Sequence, residues 1–232
     1  MNIVITGASK GLGKAFALQF ANNINTLFLC SRNLDCLQKT VYDIKQHHPD
    51  ITIHFKVADV SKKKDAIDFA NWCLQFGTPD ILINNAGAFL PGSISAEADG
   101  ILEEMLAINL NSAYHITRTF LPKMMENKSG YIFNICSIAS TNAYLNGGSY
   151  SISKFALLGF NKNLREELKP YGIKVTAIIP GAIYTDSWKG SGVDENRIMK
   201  DTDIAQMVYA ATQLSVQACV EEIIIRPQLG DL

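Results

Sequence analysis

The chain has 232 residues, and 47% of them are hydrophobic, so it can bury the core of one large α/β domain. Its 21 basic and 22 acidic residues give a formal net charge of −1, which excludes the strong positive field expected of a protein that binds nucleic acid or an anionic membrane. The sequence holds no stretch of about 18 uncharged apolar residues of the kind that spans a membrane, and we expect a soluble, cytoplasmic protein.

Short apolar runs rich in β-branched residues alternate along the chain with longer stretches of helical periodicity, a pattern typical of βαβ units. The predicted strands are 3–6, 26–30, 51–57, 80–84, 131–136, 174–179 and 222–225. The predicted helices are 12–22, 33–47, 62–76, 100–127, 150–170 and 202–214. No repeat or Pro/Ser-rich linker interrupts the pattern. The sequence therefore predicts a single doubly wound Rossmann-type domain over residues 1–232, with a seven-stranded parallel sheet and helices on both faces.

The first predicted strand leads into a glycine-rich turn that contains Gly7, Gly11 and Gly13. Glycines let the backbone approach a pyrophosphate, whose charge the amides at the start of the next helix can bind. A plain turn is the alternative interpretation, but the position directly after the first strand favours dinucleotide binding. The spacing is G-x-x-x-G-x-G rather than the ordinary G-x-G-x-x-G.

The residues after the second predicted strand bear on the choice of nicotinamide cofactor. An acidic residue there would bind the ribose 2′-hydroxyl of NAD, but the sequence has Ser31 followed by Arg32. A guanidinium matches a 2′-phosphate, and Lys10 can add a second positive charge. Solvated surface charges are the alternative for both. Asp35 is expected in the first turn of the next helix, capped by Asn33, so we predict NADP(H).

Tyr150 and Lys154 lie four residues apart in a predicted helix, so their side chains share one face. A phenol has an ordinary pKa of about 10, and a nearby ammonium favours the phenolate. The pair is therefore a candidate for acid-base chemistry.

An ordered set of motifs follows the predicted strands: the glycine turn, 84–87 (Asn-Asn-Ala-Gly), Ser137, the Tyr150–Lys154 pair and 180–181 (Pro-Gly). This set resembles the short-chain dehydrogenase/reductase family over almost the whole chain. The resemblance implies hydride transfer between NADP(H) and a carbonyl or alcohol carbon.

The resemblance also assigns roles to the catalytic candidates. Tyr150 is the general acid or base, Lys154 also holds the nicotinamide ribose, and Ser137 binds the reacting oxygen. Asn109 positions a proton-relay water; a buried polar side chain satisfied by backbone is the alternative. The expected substrate contacts are Ser137, Tyr150 and Trp188.

The expected cofactor contacts extend along the carboxyl edge of the sheet. They are Gly7, Ser9, Lys10, Gly11, Leu12, Gly13, Ser31, Arg32, Asp59, Val60, Asn85, Ala86, Gly87, Tyr150, Lys154, Pro180, Gly181, Ile183 and Thr185. In the family, the Asp59–Val60 pair meets the adenine and Thr185 meets the nicotinamide carboxamide. Asp59 has an alternative role as the cap of the helix that begins after Ser61.

Residues 182–200 are expected to form a short substrate lid. Trp188 could stack on a ring substrate or pack against the next helix, and Glu97 and Asp99 are expected to be solvated loop charges. The C-terminal residues 220–232, with 180–185 and Trp188, resemble bacterial sepiapterin-reductase-like members, which reduce a pterin side-chain ketone. The helices near 100–127 and 150–170 resemble those that pair in homodimers and homotetramers.

The five cysteines and four histidines lack the spacing of metal ligands, so reduced, buried thiols and no catalytic metal are expected. A 3-oxoacyl-thioester (acyl carrier protein) reductase is an alternative function, although the sequence shows no clear arginine cluster to receive the carrier. A catalytically silent NADP-binding sensor would tend to lose Tyr150, Lys154 or Ser137, and all three are present.

Overall fold

The structure is a computed structural model that describes residues 1–22, 25–185 and 192–231. Its strands are β1 (Asn2–Thr6), β2 (Thr26–Ser31), β3 (Thr52–Val57), β4 (Ile81–Asn84), β5 (Gly130–Ile135), β6 (Ile173–Pro180), β7 (Ile183–Tyr184), β8 (Met199–Lys200) and β9 (Glu222–Ile225). Its α-helices are α1 (Gly11–Gln19), α2 (Leu34–His47), α3 (Lys63–Leu74), α4 (Ile101–Leu106), α5 (Ser112–Asn127), α6 (Gly148–Leu168) and α7 (Asp201–Thr212).

Seven of these strands form one parallel sheet in the order β3-β2-β1-β4-β5-β6-β9. This is the predicted Rossmann-type sheet. The chain runs outward from β1 to β3 and then returns to place β4 on the other side of β1. Ligands bind at such a switch point, beyond the carboxyl ends of the strands. The short strands β7 and β8 pair with each other in a second sheet.

Both faces of the large sheet are covered by helices, because the strands are apolar on both sides. Ile3 and Ile5 of β1 pack in a cluster with α1, α2 and α7, whereas Val4 packs in a cluster with α3, α5 and α6. Alternate side chains of a strand point to opposite faces. This arrangement explains the nearly continuous apolar runs of the sequence. None of the helices in the described residues is both long and apolar enough to cross a membrane.

The predicted helix 100–127 is confirmed as an unbroken helical run from Ile101 to Asn127, but one turn within it is not α-helical. A wide π-helical turn, Ala107–Asn111, separates α4 from α5. Such turns insert an extra residue into a helix and often occur at functional sites. Here the turn contains Asn109, whose buried side chain bonds to the backbone of Ala88. Apolar periodicity gave no sign of this π-helical turn. The contacts of Asn109 join it to Ala88, a residue distant in sequence, and such contacts leave no periodic pattern.

Candidate active site

Tyr150 and Lys154 lie near the start of α6, at the carboxyl edge of the sheet. Lys154 is buried, and its Nζ donates a hydrogen bond of 2.8 Å to the carbonyl oxygen of Ile135 at the end of β5. Its Nζ also lies 5.8 Å from the centre of the Tyr150 ring. Burial lowers the pKa of Lys154 to about 8. The helix thus brings the two side chains together as their spacing predicts.

Ser137 follows β5 and faces Tyr150 from the neighbouring turn. Its Oγ accepts a hydrogen bond of 3.1 Å from the amide of Ala139, which fixes the side chain at the start of a 3₁₀ turn. Burial raises the pKa of Tyr150 to about 12, and a side-chain hydrogen bond with Ser137 opposes that rise. The two hydroxyls are therefore adjacent.

The protonation of Tyr150 differs from the expectation that Lys154 would favour the phenolate. Burial is the largest effect on the pKa of Tyr150, and it acts in the opposite direction. A phenol with the ordinary pKa of about 10 already carries its proton at neutral pH, and burial extends this to higher pH. A protonated phenol can donate, which suits the reducing direction of the reaction.

Asn109 lies under this pair and is held on three sides. Its Oδ1 accepts from the amide of Ala88 at 2.9 Å, while its Nδ2 donates to the Ala88 carbonyl at 3.0 Å and to Ser153 Oγ at 2.9 Å. Ser153 Oγ in turn donates to the carbonyl of Tyr150 at 2.7 Å. These contacts match the alternative interpretation, a buried polar side chain satisfied by its surroundings. The water-positioning role stays a prediction.

The glycine turn after β1 has the close approaches that the motif predicts. Gly7 and Gly11 have φ angles of +66° and +50°, a region that L side chains rarely adopt. A Cβ atom on Gly13 would lie 2.2 Å from the carbonyl oxygen of Gly7. Any side chain at Gly13 would therefore force the turn away from α1.

The turn after β4 is bound to the glycine turn. Thr6 Oγ1 accepts from the amides of Asn85 and Ala86 at 3.0 and 2.9 Å, and Asn85 Nδ2 donates to the carbonyl of Thr6 at 2.9 Å. A Cβ on Gly87 would lie 3.1 Å from Asn109 Oδ1 and 3.6 Å from Lys154 Nζ. Gly87 thus joins the glycine turn to the catalytic candidates.

Arg32 and Asp59 lie at the ends of β2 and β3, where the adenosine end of a dinucleotide would be expected. Arg32 is exposed, as a ligand-binding charge or a solvated charge would be. Burial acts to raise the pKa of Asp59, but hydrogen bonds from Ser61 and the charges of Arg32 and Lys62 lower it overall. Asp59 accepts from Ser61 Oγ at 2.6 Å and does not cap α3, so the helix-cap alternative is wrong.

The helix that follows Arg32 begins as predicted. Asn33 caps α2, since its Oδ1 accepts from the amide of Cys36 at 2.8 Å, and Asp35 lies in the first turn. The carboxylate of Asp35 therefore has a structural reason to be there, at the positive end of the helix dipole.

Comparisons with known proteins agree with this geometry. A model of the short chain dehydrogenase family matches residues 1–196. The chain belongs to this family. The sepiapterin reductase of Chlorobaculum tepidum is 31% identical to it over an alignment 240 residues long, gaps included, which covers 99% of this chain and 97% of that protein.

Solved structures of other dehydrogenases are similar over the full fold. An alcohol dehydrogenase from the archaeon Thermococcus sibiricus, complexed with 5-hydroxy-NADP, has a TM-score of 0.89 and 26% identity and covers 100% of this chain and 98% of that one. A metagenomic short-chain oxidoreductase in complex with NADP has a TM-score of 0.85 and 26% identity and covers 98% and 97% of the two chains.

A cleft of about 370 Å³ opens beside the glycine turn of this dehydrogenase. It is lined by Ser9, Lys10, Gly11, Lys14, Cys36, Lys39, Thr40, Tyr184, Thr185 and Asp201. Thr185 lies over the turn, because a Cβ on Gly11 would be 3.4 Å from Thr185 Cγ2. Sequence reasoning missed Lys39 and Thr40. Their spacing from Cys36 puts all three on one side of α2, and this could have revealed them.

The remaining cofactor candidates lie in or beside the core. Leu12, Val60 and Ile183 pack in the core clusters, and Ser31 Oγ donates to the carbonyl of Asn33. Pro180 ends β6, and the amide of Gly181 donates to the carbonyl of Ile225 at 2.8 Å. Cofactor contacts by these residues remain predictions.

Both ends of the expected lid are held, since β7 pairs with β8. Arg197 donates to three carbonyls of the C-terminal segment, those of Leu229, Gly230 and Asp231. Trp188 lies outside the described residues. The thiols of all five cysteines are free. Cys30, Cys73 and Cys136 are buried as expected and Cys219 is partly buried, but Cys36 is exposed, so the expectation is wrong for Cys36.

In the loop after β4, sequence reasoning missed Phe89 and misjudged Glu97. The ring of Phe89 lies edge-on to Tyr150, with the ring centres 4.8 Å apart. Glu97 is not a solvated loop charge: its carboxylate accepts from the amide of Ser149 at 2.8 Å and also from Ser149 Oγ. It does so because the first amides of a helix have no partner within the helix. Asp99 is exposed, as expected.

Proposed function

We propose that this short-chain dehydrogenase reduces a carbonyl group on a small substrate with NADPH, and that Tyr150 donates the proton. The observation that carries the proposal is the Ser137–Tyr150 hydroxyl pair beside the buried ammonium of Lys154. Two adjacent hydroxyls at a sheet edge can bind one carbonyl oxygen from two directions. Their hydrogen bonds strengthen as that oxygen gains negative charge, so they favour the transition state over the bound ketone.

NADPH, when bound, supplies the hydride that reaches the carbonyl carbon. Ser137 holds the carbonyl oxygen, and Tyr150 transfers its proton to that oxygen as the alkoxide develops. Lys154 then stabilises the phenolate that remains, because an ammonium near a phenolate favours the charged form. In the oxidising direction the same phenolate removes the proton of the alcohol.

The preference for NADPH over NADH is part of the proposal. Gly7, Gly11 and Gly13 leave the close approach that a pyrophosphate requires. Arg32 and Lys10 are exposed cations, and either could bind a 2′-phosphate. The NADP complexes of the two similar structures support the same choice.

We propose a ketone with a planar ring as the substrate. The similarity to a sepiapterin reductase supports this, as do the aromatic rings beside Tyr150. The ring of Phe89 contacts that of Tyr150 edge-on, and both Phe89 and Tyr144, in the segment before α6, are exposed. Aromatic side chains bind a planar ring by stacking or by edge contacts.

The proposed assembly is a homodimer or homotetramer through α4, α5 and α6. Leu102, Tyr114, Ile152 and Phe155 on these helices are large, apolar and partly exposed. A second copy could bury such side chains. Light scattering at micromolar concentration is expected to give at least twice the 25.5 kDa of one chain, and a stable monomer would contradict this.

The function is tested with the purified chain, NADPH and a panel of carbonyl compounds, followed at the nicotinamide absorbance. The panel holds ring ketones including a pterin side-chain ketone, aliphatic diketones and 3-oxoacyl thioesters. We expect ring ketones to be reduced fastest. Faster reduction of the thioesters would favour the acyl carrier protein reductase. NADPH that binds without being consumed by any compound would favour a silent sensor.

A further inference from the structure

The start of the catalytic helix is held by a residue that is distant in sequence. Glu97 belongs to the loop between β4 and α4, 52 positions before Ser149. Its Oε1 accepts the Ser149 amide at 2.8 Å, and its Oε2 accepts the Ser149 hydroxyl. Ser149 is 2% exposed, so water cannot easily replace these bonds.

Two glycines, Gly92 in the loop and Gly148 at the start of α6, show how closely the loop and the helix fit together. A Cβ on Gly148 would lie 1.9 Å from Glu97 Oε1 and 2.4 Å from the carbonyl oxygen of Gly92. The amide of Gly92 donates to the carbonyl of Asn146 at 3.0 Å. The loop thus lies directly on the first turn of α6, with no room for a side chain between them.

The same loop touches Tyr150 at a second point. Phe89 meets the Tyr150 ring edge-on, and Glu97 binds the residue immediately before Tyr150. Lys154 lies one helical turn after Tyr150 in α6, and its own hydrogen bond to the carbonyl of Ile135 holds it. Loss of the Glu97 contact would therefore free Tyr150 while leaving Lys154 in place.

We propose that Glu97 is a positioning residue, which fixes the first turn of α6 so that the Tyr150 hydroxyl meets the substrate oxygen. The inference rests on the proposed function, in which Tyr150 donates the proton. A displacement of about 1 Å in a reacting group can reduce the rate about 100-fold. The carboxylate acts through Ser149 and does not touch the substrate.

The experiment compares Glu97→Ala, Glu97→Gln and the control Asp99→Asn, which changes an exposed carboxylate of the same loop. For each we would measure the NADPH dissociation constant, the single-turnover rate with an active ring ketone, and hydrogen exchange of the segment 147–151. The exchange is measured without substrate, so it reports on the contact even if the proposed reaction is wrong.

Glu97→Ala is expected to lower the single-turnover rate at least about tenfold, within the range for misplaced groups, with an unchanged NADPH dissociation constant and faster exchange at 147–151. Glu97→Gln should recover most of the rate, because its amide oxygen can still accept from the Ser149 amide and its NH₂ can donate to Ser149 Oγ. Asp99→Asn should behave like the parent chain.

A parental rate in Glu97→Ala would overturn the proposal, whether or not exchange becomes faster. Equal losses of rate and of NADPH affinity would also overturn it, since the whole site would then be disturbed. If Glu97→Ala does not fold, Ser149→Ala carries the test, because it removes only the hydroxyl that donates to Glu97; a parental rate in Ser149→Ala would then refute the positioning role. A parent chain that reduces no ketone would refute the proposed function, and unchanged exchange would then refute the contact independently.

Discussion

The glycine turn after β1 and the candidate catalytic edge after β5 both lie at the carboxyl ends of the strands, but they are built in opposite ways. At the glycine turn, the proposed cofactor binding depends on missing side chains: a Cβ on Gly13 would lie 2.2 Å from the Gly7 carbonyl oxygen. At the candidate catalytic edge, the proposed function depends on polar side chains held in the interior: Lys154 donates to the carbonyl of Ile135, and Asn109 accepts from the amide of Ala88. We infer that added atoms damage the first region, whereas lost polar groups damage the second.

The largest loss of cofactor affinity is expected from adding one carbon to the glycine turn. Gly13→Ala would force α1 away from the turn, and overpacking of this kind costs about 1–3 kcal/mol. We expect the NADPH dissociation constant to rise by about 100-fold, at the upper end of that range, as measured by fluorescence titration.

The matched control is Gly159→Ala. Gly159 is exposed in the middle of α6 and has open space where its Cβ would be. Alanine in a helix is favoured over glycine by about 0.5–1 kcal/mol, so this variant should bind NADPH normally and unfold at a slightly higher temperature. Equal NADPH affinities of the two variants would contradict the steric account.

A smaller effect is expected where the cofactor is selected by charge. Arg32→Ala should reduce the preference for NADPH over NADH by about 1–3 kcal/mol, the range for charged hydrogen bonds. Dissociation constants for both cofactors in the parent and the variant measure it. Lys45→Ala, which removes an exposed charge near the end of α2, the helix that follows Arg32, should leave the preference unchanged. Equal affinity of the parent chain for the two cofactors would refute the NADPH assignment.

The contrast between the regions also explains what the sequence could predict. The glycine turn depends on residues within one short segment, so Gly7, Gly11 and Gly13 could be identified from their spacing. The succession of strands and helices along the chain and the Tyr150–Lys154 pair also depend on short segments, so they could be predicted in the same way. The contacts that support Tyr150 join distant segments, such as Glu97 with Ser149 and Asn109 with Ala88. A charged loop residue gives no sign in the sequence of the helix that it will cap.

The smallest effect is expected from pH. Burial lowers the pKa of Lys154 to about 8 and raises that of Tyr150 to about 12. Lys154 is therefore charged below about pH 8 and loses its charge above it, while Tyr150 keeps its proton throughout. The single-turnover rate of ketone reduction should be constant between pH 6 and 7 and fall about tenfold by pH 9, as one proton is lost from a required group. A rate that stays constant to pH 10 would contradict this role of the ammonium.

The central claim is that the Tyr150 hydroxyl supplies the proton while the glycine turn and Lys154 hold the cofactor. The most direct test measures the NADPH dissociation constant and the single-turnover rate of Tyr150→Phe, with Lys154→Ala for comparison. Tyr150→Phe removes one hydroxyl, so NADPH affinity should remain and the rate should fall by about 10²–10⁴, the usual contribution of acid-base catalysis. Lys154→Ala should lose both affinity and rate. A Tyr150→Phe variant with near-parental turnover would show that another group carries the proton, and would contradict the account.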